Sequence, residues 1–524
     1  MHGALNYKAV ARVMGRLVGV EGLLLSIPLA VALFGREADW PGFAVATAAA
    51  LAVFALTELT TRRIRLRIRA REGFALTALV WIIFSVIGLI PFVMGPAPLS
   101  FTDALFETIS GFTTTGASVY ADVDGLERGI LLWRALMQWI GGLGIIFFML
   151  AAIPALNRDE GISMFHAEAT GIYHTKLHPR IRQTVLSLWR VYSALTLCCI
   201  LLLWAGPMSL FDAVCQTFTA ISTGGFTTHN AGLAYWHSEY ADWVLTIFMA
   251  VGGVNFMLLY GAIHRRFHDL AANAVARCYF GVILAFWALM ALATWLQGNV
   301  EPTFRNLGLN TLEHTVSAIT STGFTVPGAN QWGPAAMTLT VLLMIAGSCA
   351  GSTSGGVKID RLMALRSNLR NNLLRTIHPH RAFVVRIGPE VLKAPVMHRI
   401  AAFFTIYMLL IALTVLVAVF CGYDFADSVF LSASAVGCNG LGYGITAAGF
   451  GSLHDVLKAI CFPYALYPGL LATLSRIIRL IRLINFINLI NLIRAIANKA
   501  CRACPAGLIM LCERELAAEA REVG

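Results

Sequence analysis

Four short stretches of this 524-residue chain carry residues that could do the same chemistry. They read DALFETISGFTTTGAS (103–118), DAVCQTFTAISTGGFTT (212–228), NTLEHTVSAITSTGFTV (310–326) and DSVFLSASAVGCNGLGYG (427–444). Laid over one another without gaps, each opens on Asp or Asn and carries a glycine thirteen residues later: Gly116, Gly225, Gly323 and Gly440. Glycine reaches dihedrals closed to other residues and lets main chain approach a partner closely. Rings of main-chain carbonyls replace the hydration shell of a monovalent cation. Thr115, Thr223 and Thr322 can add hydroxyl oxygens, and Gly224 stands beside its neighbour Gly225. The loops hold almost no carboxylate, so a calcium or magnesium cage is not what they offer.

Such loops need elements that hold them. Irregular backbone at membrane depth is tolerated only where it is buried in protein or lines a watery cavity. Asp103, Asp212, Asn310 and Asp427 are good N-cap types, so a short helix is expected to start at each. The partial negative charge at the C-terminal end of each helix would then aim at the cation. Apolar stretches of spanning length begin near residues 10, 41, 74, 129, 186, 243, 277, 334, 398 and 455, so a span precedes and follows each short segment. The openings lie 109, 98 and 117 residues apart. The unit is span, short helix, glycine-rich loop, span (M1–P–M2), repeated in parallel about an axis along the membrane normal. A single such loop reads as a re-entrant turn; four in register read as a pore.

The fold class is therefore all-α integral membrane, with four tandem M1–P–M2 repeats in pseudo-fourfold symmetry and two extra N-terminal transmembrane helices. The expected divisions are 1–61 for the N-terminal pair, then 62–156, 157–266, 267–370 and 371–490 for the repeats, and 491–524 for an atypical tail.

Composition agrees. The chain is 58% hydrophobic and only 13% charged, against about 25% charged in soluble proteins. No stretch is long enough for a separate catalytic or nucleotide-binding domain. The first apolar stretch has no small-residue cleavage pattern after it, so it reads as a retained span. The net charge of +11 gathers at 62–71, 180–190, 265–266 and 358–399. These basic loops are expected on the cytoplasmic side, facing anionic lipid, with the N-terminus inside. Nucleic-acid binding would need a folded basic domain, and none is present. Eleven cysteines, several inside apolar stretches, imply no disulfide framework, and the lone CxxC of Cys501 and Cys504 is weak as a metal site. His174, His178, His378 and His380 lack metal-ligand spacing. Neither an acidic dyad, a Ser-His-Asp set, nor a Walker or Rossmann fingerprint occurs, so the chain does not read as an enzyme. Glu107, on the first short helix, is expected to attract cations at the outer mouth or to be solvated there.

A further segment, AGSCAGSTSGGVKIDR (346–361), interrupts a span with Gly347, Gly351, Gly355 and Gly356. Its position after the third repeat suggests a flexible intramembrane gate below the loops, with Lys358 and Arg361 at the cytoplasmic end.

With those residues in view, the chain resembles the Trk/Ktr/HKT superfamily of potassium transporters, and its bacterial TrkH branch above all. The resemblance rests on DALFETISGFTTTGAS, TAISTGGFTTHN, ITSTGFT, WRALMQWIGGLGI (from Trp133), PRIRQTVLSLWRVY (from Pro179) and CAGSTSGGVK (from Cys349), and runs from about residue 10 to about 450. It implies a homodimer in the bacterial cytoplasmic membrane, a potassium ion bound in the filter, and a cytosolic ring of the TrkA type that binds nucleotides and controls opening. It implies that glycine at the first filter position, Gly116, goes with potassium preference. The family's fourth loop reads NNLGPG, here NGLGYG with Asn439, Gly440, Leu441 and Gly442. That alignment makes Gly442 the filter glycine, whereas the ungapped repeat makes it Gly440.

The chain departs from the family after about Lys458, where LSRIIRLIRLINFINLINLIRAIANKACRACPAG replaces an expected last span with a GRLE-like motif. The stretch is either an interfacial amphipathic helix or the product of a frameshift. Arg476 is the candidate for the family's gate arginine. Three rival functions follow: sodium or sodium-coupled potassium transport, a membrane-embedded transferase, and a non-conducting variant.

Overall fold

The computed structural model describes residues 6–62, 70–142, 144, 181–378, 383–447, 449–455 and 457–458. All lie in the first of two compact units, Met1–Gly469; the second, Leu470–Gly524, lies outside the described residues, and with it Arg476, the CxxC and the tail.

The described chain is mostly helical. Helices α1 (Tyr7–Gly35) and α2 (Trp40–Thr61) form an apolar hairpin. Its seam is made of small residues: a Cβ added at Gly15, Gly19 or Gly22 would run into Thr57, Phe54 or Ala50 of α2. Helices α3 (Ala70–Gly88), α4 (Ile90–Met94), α5 (Phe101–Phe112) and α6 (Arg128–Gly142) follow. Next come α7 (Ile181–Trp204), α8 (Leu210–Ile221), α9 (Glu239–Gly252), α10 (Phe256–Ile263), α11 (Phe267–Ala272) and α12 (Ala274–Gln297). The last are α13 (Thr311–Ile319), α14 (Pro334–Ala346), α15 (Ile359–Ile377), α16 (Ala394–Phe420) and α17 (Phe425–Val436). A two-residue antiparallel ladder, β1 (Arg386–Ile387) with β2 (Glu390–Val391), joins α15 to α16.

Among the described residues, five helices are long and apolar enough to cross a membrane, α1, α2, α7, α12 and α16, or six if the bent pair α9 and α10 counts as one span. The spans expected near 129, 243 and 334 are not continuous helices of that length. Helix α6 has 15 residues, and α14 has 13 before the chain breaks at Gly347. The span near 243 is broken: α9 and α10 meet at 110° across 253–255. Gly252, Gly253 and Asn255 explain the bend, since hydropathy continues through a break that small residues and an Asx turn allow. The span expected near 455 lies outside the described residues.

The short helices α5, α8, α13 and α17 each precede a glycine loop, but their starts differ from expectation. Ser100, Ser209 and Asp424 are the N-caps, accepting from the amides of Asp103, Asp212 and Ala426. Asp103, Asp212 and Asp427 fall in the first turn, three residues inside, where a carboxylate faces the positive end of the helix. Ser100 and Ser209 donate back to Asp103 and Asp212 at 2.8 Å. In the third copy a π-helical turn, Arg305–Asn310, leads into α13, and Asn310 makes no side-chain cap.

Candidate functional site: a ring of four glycine loops

Let loops 1 to 4 be those that follow α5, α8, α13 and α17. Each is built by the same hydrogen bonds. The amide two before the glycine (Thr114, Thr223, Ser321, Cys438) donates to the carbonyl five before it (Gly111, Ala220, Ala318, Ala435) at 3.0–3.3 Å. The next amide (Thr115, Gly224, Thr322, Asn439) reaches Ser110, Thr219, Ser317 and Ser434 at 2.8–2.9 Å. Left-handed backbone recurs in step: φ is 55°, 54°, 53° and 51° at Thr114, Thr223, Ser321 and Cys438, then 79°, 82°, 78° and 75° at Gly116, Gly225, Gly323 and Gly440.

The glycines bring the loops into a closed circuit. A Cβ on Gly116 would lie 2.0 Å from the Gly224 oxygen, and one on Gly225 1.8 Å from that of Thr322. On Gly323 it would lie 1.9 Å from the Asn439 oxygen, and on Gly440 2.2 Å from that of Thr115. Loop 1 thus abuts loop 2, loop 2 abuts loop 3, loop 3 abuts loop 4, and loop 4 returns to loop 1. No side chain fits at any of the four positions. Gly440 closes the circuit with the same φ as its counterparts; Gly442 lacks positive φ and packs on the Thr446 carbonyl of its own loop.

Thr115, Gly224, Thr322 and Asn439 occupy equivalent places before the glycine. Thr223 stands one place earlier, so its hydroxyl does not match those of Thr115 and Thr322; it lies 3.1 Å from that of Thr353. The Thr115 and Thr322 hydroxyls pair with Thr113 and Thr320 at 3.0 and 2.7 Å. Leu441 follows Gly440 and is buried.

Helix α6 holds loops 1 and 2. Arg134 Nε donates to Glu107 Oε1 at 2.8 Å, and both side chains are out of water. Arg134 continues to the Thr227 carbonyl at 3.2 Å and the Ser118 hydroxyl at 3.0 Å, with its guanidinium 4.2 Å from the Phe226 ring. Glu107 Oε2 accepts from the Val119 amide at 2.8 Å. One turn on, Gln138 Nε2 donates to the Gly224 oxygen at 2.8 Å while its Oε1 accepts from the Phe226 amide at 3.2 Å. Glu107 is therefore neither solvated nor a lure at the mouth: burial beside Arg134 makes it a brace. Sequence reasoning did not single out Arg134 or Gln138. The available signal was a cation and an amide four apart in an apolar span.

Among the described residues, no ion pair braces loops 3 and 4. Ser317 and Ser434 hydroxyls donate to the Phe324 and Leu441 carbonyls at 3.0 and 2.8 Å. Asn439 Nδ2 reaches the Ala318 carbonyl at 2.7 Å. His314, at the place of Glu107, meets Thr340 at 2.9 Å.

Residues 347–358 pass against three of the loops. The Gly355 amide donates to the Ser321 hydroxyl, and a Cβ there would lie 2.0 Å from the Gly437 carbonyl. Thr353 reaches loop 2 through Thr223. Gly347, Gly351 and Gly356 take positive φ, and so does Lys358, at 82°. The buried Lys358 ammonium donates to the Ser354 carbonyl and lies 3.1 Å from its hydroxyl. This segment also docks on the bend between α9 and α10: Cys349 donates to Gly253, Phe256 to Gly351, and Asn255 Nδ2 to Ala350, at 2.7–3.1 Å.

The family profile of TrkH, described as cation transport protein, matches residues 41–294 and 309–484. The chain belongs to the TrkH family. It is thereby a cation transport protein of a membrane family and not an enzyme. The Trk system potassium uptake protein TrkH of Salmonella typhimurium is 32% identical over 470 residues, which cover 88% of this chain and 96% of that one. The protein TrkG of Escherichia coli K12, named likewise, is 31% identical over 458 residues, 87% and 94% of the two chains. The crystal structure of the potassium transporter TrkH from Vibrio parahaemolyticus superposes with a TM-score of 0.79 at 27% identity, covering 89% of this chain and 97% of its own.

Proposed function

We propose that this chain carries potassium into the cell through the ring of four glycine loops, in the bacterial cytoplasmic membrane, with its N-terminus inside. The closed circuit from Gly116 through Gly225, Gly323 and Gly440 carries the reading. The carbonyls of Thr115, Gly224, Thr322 and Asn439 are the ligands, and the ion reaches them by shedding water. Each loop with its short helix is the P segment of one M1–P–M2 repeat, in the divisions stated above. The names of the relatives support potassium as the ion.

Inward flow is driven by the membrane potential, worth about 2.3 kcal/mol per charge per 100 mV. The segment 347–358 is the gate. Its contacts with loops 2, 3 and 4 support this reading, and the ammonium of Lys358, held on Ser354 of the same segment, is the group that repels a descending cation until the segment moves. The chain works as a homodimer, and a cytosolic nucleotide-binding ring of the TrkA type docks on the basic surface that includes α15.

The test is rubidium uptake in cells lacking their own potassium importers, with that cytosolic partner supplied and with or without excess sodium. Uptake that sodium barely inhibits, and that Gly116→Asp or Gly323→Asp abolishes, is the expected result. No uptake despite normal membrane insertion overturns the proposal, and uptake that sodium abolishes transfers it to sodium.

A further inference from the structure

The four carbonyls of the ring are not equivalent. Among the described residues, no protein donor bonds to the oxygens of Thr115, Thr322 or Asn439, whereas that of Gly224 accepts from Gln138 Nε2 at 2.8 Å. The amide orientation is fixed by the rest of the network, since the Gln138 oxygen faces the Phe226 N–H. The double glycine of loop 2 has the same cause. A Cβ on Gly224 would lie 2.4 Å from the Gln138 amide carbon, so Gln138 fills the space that Thr115, Thr322 and Asn439 fill with their own side chains.

We infer that Gln138 is a positioning residue that sets the ion preference of the ring, through the one carbonyl it holds. This inference rests on the ring being the cation filter. A donor on the Gly224 oxygen draws charge from it and anchors it. Losing the donor raises the field at that oxygen and frees the carbonyl to move inward. Both changes favour the smaller, more strongly hydrated ion, sodium, over potassium or rubidium.

The test compares rubidium uptake by the wild type, Gln138→Met and Gln138→Glu, with graded sodium, alongside Gly323→Asp as a control. Met keeps the bulk without a donor. Glu keeps the acceptor for Phe226 and regains a donor only when protonated. The expected result is an inhibition constant for sodium lowered on the order of fivefold in Q138M, the factor one hydrogen bond is worth. The rubidium maximum rate per inserted molecule should change much less. In Q138E the sodium inhibition should weaken towards wild type as the pH is lowered, a dependence Q138M lacks. A sodium-to-rubidium ratio within twofold of wild type in an inserted variant overturns the inference. So does a pure loss of rate, which marks a structural role only. If Q138M does not insert, Q138E decides by the same criterion. Failure of the filter reading itself looks different: wild type without uptake, or Gly323→Asp without effect.

Discussion

Loops 1 and 2 share their dihedrals and internal hydrogen bonds with loops 3 and 4, yet the two halves of the ring are held in different ways. The first half hangs on α6, through a buried ion pair and a buried amide. The second is tied by hydroxyls and Asn439 to its own short helices. Even the equivalent hydroxyls diverge. Ser317 and Ser434 each cap a carbonyl after the glycine; Thr219 turns back to Gln216, and the Ser110 hydroxyl has no partner among the described residues. A repeated fold thus fixes the backbone of the ring, while each side chain behind it is free to specialise. Breaking the braces should separate the halves.

The largest effect is expected from Arg134→Leu. It leaves Glu107 as an uncompensated buried charge, a loss of about 3–5 kcal/mol. Thermal unfolding in detergent should show it as a large fall in midpoint, with rubidium uptake lost. The double variant Glu107→Leu with Arg134→Leu should recover part of that stability, because no unpaired charge remains. Recovery of none would mean that the bonds to Thr227, Ser118 and Val119 matter more than the charge.

In the other half, Ser434→Ala should cost about 1 kcal/mol, one neutral hydrogen bond, with uptake retained. A loss as large as that of Arg134→Leu would erase the contrast between the halves.

The smallest effect concerns the start of α6, where Glu37 and Asp39 accept from the Gly129 and Ile130 amides at 3.0 Å. Burial, with Glu37 beside it, pushes the Asp39 carboxyl up to about 6 from an ordinary 3.8. Between those values the folded chain keeps a proton that the unfolded chain has lost. This stabilising share is full below about pH 4 and gone above about pH 6. Acidification from pH 7.5 to 5 should therefore gain the equivalent of about 1 kcal/mol from Asp39, and Asp39→Asn should remove that share of the pH dependence. An unchanged pH profile in D39N would show that Asp39 does not titrate in this range.

The repeat was legible in the sequence because glycine spacing is a local property: thirteen residues from each opening Asp or Asn to the glycine. The braces were not legible, because they join distant residues. Glu107 meets Arg134 across 27 positions, and Gln138 meets Gly224 across 86. Seen alone, an acid on a short helix next to a polar loop reads as solvated. The true caps were within reach, as Ser100 and Ser209 stand three residues before an acid in the capping-box pattern. The bend at 253–255 hid behind continuous hydropathy. That Gly440 and not Gly442 shares the positive φ of the other three loop glycines shows only in backbone dihedrals, which no spacing rule supplies.

The most direct measurement is a crystal structure with thallium in place of potassium, read by anomalous scattering. The account predicts one peak in contact with the carbonyl oxygens of Thr115, Gly224, Thr322 and Asn439, displaced by potassium and not by equal sodium. A peak that touches none of these oxygens, or no peak in a protein that transports rubidium, would contradict it.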